Sequence, residues 1–104
     1  CPKSMTYSFK PEVLPEGLVE KFQSKTLPIV LNHRGHEVNL NEHILDLQIC
    51  DGRIFMRVKC NEQGGTASPY PLFGGLMGVK TATATVDDVT RQYLIRKESM
   101  EFED

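Results

Sequence analysis

The strongest constraint on this chain is a dipeptide. Asp51-Gly52 stands between ILDLQIC and RIFMRVK, two segments in which apolar and polar residues alternate. Asp-Gly tolerates the positive φ angles of a type I′ turn, the connection whose twist matches that of a two-stranded ribbon. A two-residue turn fixes the register. Cys50 faces Arg53, Ile49 faces Ile54, Gln48 faces Phe55, Leu47 faces Met56, Asp46 faces Arg57 and Leu45 faces Val58. Leu45, Leu47, Ile49, Ile54, Met56 and Val58 then share one face, while Asp46 and Arg57 meet on the other. Alternation and cross-strand charge pairing thus support the same hairpin.

The same logic extends upstream. LPIVLNH and HEVNL flank Arg34-Gly35, and a two-residue turn there pairs His33 with His36, Leu31 with Val38 and Ile29 with Leu40. A further turn at Asn41-Glu42, between Leu40 and His43, gives a four-stranded meander from about Leu27 to Cys60. Nearer the start, Met5, Tyr7 and Phe9 alternate as in a short strand, and Pro15 precedes Leu18, Val19 and Phe22, spaced as one face of a short helix. Residues Asn61 to Gly78 hold five Gly and two Pro, which reads as a long loop, functional or mobile. VKTATATV alternates as a strand. DDVTRQYLIRKESM fits either a helix capped by Asp87 or a hairpin about Asp87-Asp88, and its β-branched residues favour the hairpin. The expected fold is a single domain over residues 1–104, mainly β within a β-rich α+β class. It consists of an antiparallel meander with one short N-terminal helix, and a C-terminal strand pair could close it into a small barrel. The acidic end, Glu101 to Asp104, reads as a solvated edge.

Composition bears on function mainly by exclusion. At 104 residues there is one core and no room for a two-domain enzyme. The formal charge of −2 supplies no basic footprint for phosphate, so nucleic acid is not an expected partner. No apolar run approaches the roughly 20 residues of a membrane helix, and no charged-then-apolar leader opens the chain. Three cysteines, Cys1, Cys50 and Cys60, without a CxxC pair, point to free thiols in a reducing, intracellular compartment rather than a stapled secreted domain. Beginning with Cys rather than Met reads as a processed or trimmed product.

Histidine and cysteine invite a zinc reading, which the expected register opposes. His33 and His36 meet at one turn, whereas His43 and Cys60 meet at the other end of the sheet, beyond a strand step of roughly 13 Å. One tetrahedral site cannot use all four, so no metal is expected. The same spacing separates Cys50 from Cys60 too far for a disulfide. None of Ser4, Ser8, Ser24, Ser68 or Ser99 lies in a GxSxG elbow, and FGGLMG lacks the lysine and following helix of a phosphate loop. No cofactor is expected.

The order of segments resembles the prohead, or capsid maturation, proteases of tailed phages, distantly similar in fold to the herpesvirus maturation protease. VLPEGL (Val13 to Leu18) resembles their VLPGAF-like element, and LPIVLNH (Leu27 to His33) the LPxxxxH strand that carries the catalytic histidine. DGRIFMRV (Asp51 to Val58) resembles the DGxLY-like strand, LMGVK (Leu76 to Lys80) the SIGF-like nucleophile strand, and ESMEFE (Glu98 to Glu103) the closing strand. The resemblance implies His33 as general base, Glu101 as the acid of the closing strand, and Gly74, Gly75 and Gly78 as backbone donors of an oxyanion site or binding loop. It also places Leu76 at the nucleophile position, where no oxygen is available to attack a carbonyl. Either Ser68 or Ser99 serves instead, or the fold no longer cleaves. The implied function is a non-catalytic capsid assembly or maturation domain, whose partners are capsid or scaffold proteins or other copies of itself. An active serine peptidase and an unrelated β-rich interaction module using residues 61–78 are the alternatives. A plant B3-type DNA-binding barrel shares the LP-helix and paired strands, but lacks its tryptophan and Gly-Asp signatures here.

Overall fold

A computed structural model describes residues 2–32, 34–78 and 95–102. The elements in chain order are β1 (Pro2–Phe9), α1 (Leu18–Gln23), β2 (Ile29–Leu31), β3 (Glu37–Asn39), α2 (Leu40–His43), β4 (Ile44–Cys50), β5 (Arg53–Lys59), α3 (Pro69–Leu76) and β6 (Arg96–Phe102). The described residues are mainly strands with three short helices. β4, β5, β1 and β6 form an antiparallel sheet in that order, and β2 pairs with β3 in a separate ribbon. No closed barrel forms among the described residues. The alternatives for residues 87–99 fall mostly on 79–94, outside the described residues.

The β4–β5 hairpin turns where Asp51-Gly52 requires it, with φ of 52° and 76° at the two central residues. Its register is the expected one from Cys50↔Arg53 through Asp46↔Arg57. Beyond Asp46 it shifts. Ile44, not Leu45, faces Val58, so Leu45 is an extra residue in a bulge and is 39% exposed. An inserted residue exchanges the faces of everything beyond it, which lets Ile44 enter the core in place of Leu45. β1 then pairs with the other side of β5, and its Met5, Tyr7 and Phe9 face inward as their alternation requires.

The expected four-stranded meander is corrected at two points. The Asn41-Glu42 turn is instead the helical turn α2, because Asn39 Oδ1 accepts from the Asn41 N–H and caps it. Asn41 in turn bonds both the N–H and the carbonyl of Leu27, holding the entry to β2 against α2. The ribbon is also shifted by one residue. Ile29 faces Asn39, Val30 faces Val38 and Leu31 faces Glu37. Its connection spans three positions between Asn32 and His36 rather than two. Asn32 Oδ1 accepts from the N–H groups of Arg34 and His36, and Gly35 adopts φ 79°. Val30 therefore turns inward, while Ile29 and Leu31 are exposed.

Residues 61–78 are not one long loop. Ser68-Pro69 opens α3, where proline at the first helical position loses no needed N–H. Leu72, Phe73 and Leu76 then enter the core, with Phe73 packing edge-on against Phe9 at a ring-centroid distance of 3.8 Å. One glycine of this helix, Gly75, has a packing reason. A Cβ there would meet Leu40 Cδ2 at 2.9 Å and Val30 Cγ1 at 3.0 Å, so its bare backbone lets α2, β2 and α3 meet. α1 begins at Leu18, three residues after Pro15, and buries Leu18 alone among its residues.

Candidate functional site

A cleft of about 370 Å³ lies between the start of α3 and the β1–β6 pair. An Asx-type turn brings its first wall into place. Asn61 Oδ1 accepts from the N–H groups of Gln63 and Gly65, and the chain folds back so that Thr66 bridges Cys60. Thr66 Oγ1 lies 2.8 Å from the hydroxyl of Tyr7, which reaches it from the buried side of β1. Ala67, Ser68, Pro69 and Tyr70 continue this wall, and Ile95 and Lys97 form the one opposite. Lys97 faces Tyr7 across the β1–β6 pair.

The cleft offers hydroxyls, two phenol rings and one ammonium, a set suited to holding a polar or aromatic group. It is poorly equipped for hydrolysis. Among the described residues, no imidazole or carboxylate lines it. Ser68 is an exposed N-cap residue whose hydroxyl makes no capping bond. Lys97 is solvent-exposed, whereas a lysine acting as base needs desolvation and contact with its hydroxyl.

The other expected site residues do not converge on Ser68. His33 lies outside the described residues. Glu101 occupies the β6 position opposite Ser4. Leu76 ends α3 and is 3% exposed. Gly74 and Gly75 lie within α3, past its first turn, where backbone N–H groups are committed to the helix ladder. The Gly78 N–H donates to the Gly75 carbonyl. The expected oxyanion loop is therefore a core helix and its C-terminal turn, and its amides are engaged. Among the described residues no serine hydroxyl bonds a histidine, and no group of three or more His, Cys, Asp or Glu side chains could hold a metal. Cys50 and Cys60 are both free thiols.

Sequence reasoning missed a second polar cluster on the opposite face of the sheet. β6 bulges opposite Thr6 and Tyr7, which leaves Glu98 without a partner position. Glu98 Oε1 accepts from the Ser8 hydroxyl, and Ser8 Oγ accepts from Arg53 Nε at 2.8 Å. Arg53 Nε also lies 3.8 Å from Glu98 Oε1. Ser8 is fully buried, and the three groups tie β1, β5 and β6, while the buried Arg53 Nη2 finds no hydrogen-bond partner among the described residues. The alternation of β1 marks Ser8 as a residue of the polar face. Nothing local marks Glu98, because its role depends on a bulge.

His43, at the end of α2, has a pKa lowered from its ordinary 6.5, chiefly by burial and further by the nearby Lys59 charge, with Glu42 opposing. It does not line the cleft. Compared with family models, with curated proteins and with solved structures, the chain has no significant match. Among the described residues, no helix is long and apolar enough to cross a membrane.

Proposed function

We propose that this chain is a non-catalytic, β-rich module that binds protein, laid out like a capsid maturation protease but lacking its nucleophile. Its role is assembly of a viral or phage particle, within a reducing compartment. The observation that carries the non-catalytic half is Leu76. The position that the resemblance assigns to the nucleophile is 3% exposed, at the end of a helix packed into the core. A side chain there is sealed from any substrate, whatever its chemistry. The assembly half rests on the resemblance alone.

The active-peptidase reading would need a serine hydroxyl within about 3 Å of a histidine acting as base. Among the described residues, neither imidazole nor carboxylate lines the cleft of Ser68. The reading of residues 61–78 as a free contact loop is weakened by α3, most of which is core.

Treatment of the protein with a fluorophosphonate probe, followed by intact mass measurement, tests the proposal. The expected result is no adduct, for the parent chain and for Ser68→Ala alike. A stoichiometric adduct lost in Ser68→Ala or Ser99→Ala would overturn it.

A further inference from the structure

The first half of β6 is held unlike the other strands of its sheet. β5 buries Ile54, Met56 and Val58, β1 buries Met5, Tyr7 and Phe9, and β4 buries Ile44 and Leu47. From Arg96 to Ser99 every β6 side chain is exposed, and Ile95 just before them is half-buried. Among the described residues, this stretch is held by its backbone pairing with β1 and by the cluster of Glu98, Ser8 and Arg53. That cluster is imperfect. Arg53 Nη2 is buried without a partner, and an unmade bond on a charged group offsets part of what the made ones contribute. Two register shifts also interrupt the ladder, between Pro2 and Ser4 and between Thr6 and Tyr7. Little apolar burial and a broken ladder mark a unit that opens before the rest of its domain.

The edge that such opening bares is defined by the β1–β5 ladder. The Lys3 carbonyl accepts from the Cys60 N–H, on the β5 side. Backbone groups alternate in direction along a strand, so Met5, Tyr7 and Phe9 also bond toward β5, whereas Ser4, Thr6 and Ser8 aim at β6. We infer that β6 detaches as a unit and that the bared β1 edge accepts β6 of a second copy, giving a strand-exchanged dimer. A strand from a second copy repeats the contacts of the original, including the carboxylate that meets Ser8 and Arg53. Another extended segment could use the ladder, but without an acid at the bulge it would leave the Arg53 guanidinium unpaired.

This inference rests on the protein-binding reading, which it deepens by naming the partner, and it does not depend on the absence of catalysis. Hydrogen exchange on the full chain reads the opening. Within β1, the amides of Ser4, Thr6 and Ser8 should exchange together, roughly a hundredfold faster than those of Met5, Tyr7 and Phe9. Glu98→Gln should speed the first group about tenfold further and leave the second unchanged, which a static irregularity of the ladder would not do. Equal protection of the two groups in the parent chain would overturn the inference.

Disulfide trapping reads the exchange. Thr6 and Ser99 lie directly opposite each other within one copy. In a background with Cys1, Cys50 and Cys60 replaced by Ser, a chain carrying both Thr6→Cys and Ser99→Cys should close on itself under mild oxidation. Thr6→Cys chains mixed with Ser99→Cys chains reach the same geometry only through exchanged strands. Mixing at roughly 500 µM, near the millimolar effective concentration of a tethered strand, should accumulate mixed dimers in excess of homotypic ones. A mixture that stays monomeric, or whose homotypic dimers are as abundant as mixed ones, would sink the proposal. Neither failure would bear on probe labelling, which tests catalysis separately.

Discussion

The β4–β5 and β2–β3 hairpins lie in one small molecule and solve the same problem differently. In β4–β5, both central residues adopt positive φ, the connection has two positions, and Leu47, Ile54, Met56 and Val58 turn into the core. In β2–β3, an asparagine side chain collects two backbone N–H groups, glycine takes the left-handed position, and the connection has three. That one additional position brings Val30 inward and leaves the flanking Ile29 and Leu31 outward. Connection length alone decides which stripe is hidden, because strands alternate with a period of two. The first hairpin lies within a sheet buried by α3, while the second contributes Val30 to that core, with Val38 half-buried against it.

Substitutions can break this contrast, and the largest effect belongs to the sheet. Leu47→Asp or Val58→Asp should cost about 4 kcal/mol or more and leave the domain unfolded, since each buries an unpaired carboxylate. Ile29→Asp, at a residue 57% exposed, should stay within about 0.5 kcal/mol. Urea denaturation measures both, and a soluble, cooperatively melting Leu47→Asp chain would show that the core face is misassigned. Within the ribbon, Val30→Ala should cost roughly 2 kcal/mol and Ile29→Ala under about 1 kcal/mol. A reversed ranking would restore the two-residue turn. Gly52→Ala and Gly35→Ala should each cost about 1 kcal/mol, because both residues hold φ near 80° where a Cβ is strained. Equal losses would show that each turn depends on its left-handed glycine to the same extent despite their different lengths.

The smallest effect is one of pH. Because His43 is held below its ordinary 6.5 in the folded chain, the unfolded chain binds the proton more readily. Stability should therefore fall as pH drops through 6.5, and level off once the folded pKa is passed. His43→Gln should flatten that part of the profile. A slope unchanged in this variant would assign the effect elsewhere.

Much of the sheet was legible because its evidence is local. Asp51-Gly52 and its flanking alternation specify a register that holds for five consecutive residues of β5, Arg53 to Arg57, before the unannounced Leu45 bulge hands Val58 to Ile44. The ribbon was harder to read. Asn32 looks like an ordinary strand residue until its side chain is seen accepting from Arg34 and His36. α3 was hidden by its own composition. Glycine and proline counted as loop, although Ser68-Pro69 followed by Leu72, Phe73 and Leu76 carries a helix start and a helical apolar spacing. Gly75 serves contact with Leu40 and Val30, which only tertiary structure reveals. The cleft was less legible still. Ser68 stood out as a hydroxyl, but Tyr7, Thr66 and Lys97 become its neighbours only when the two ends of the chain pair.

That pairing carries one further consequence through Glu98. The last strand presents no apolar stripe strong enough to dictate its own alignment. Its placement is fixed instead by a carboxylate that must meet a guanidinium. Deleting one residue between Arg96 and Glu98 would strand two opposite charges on separate strands, so the tail of this chain tolerates changes of composition far better than changes of length.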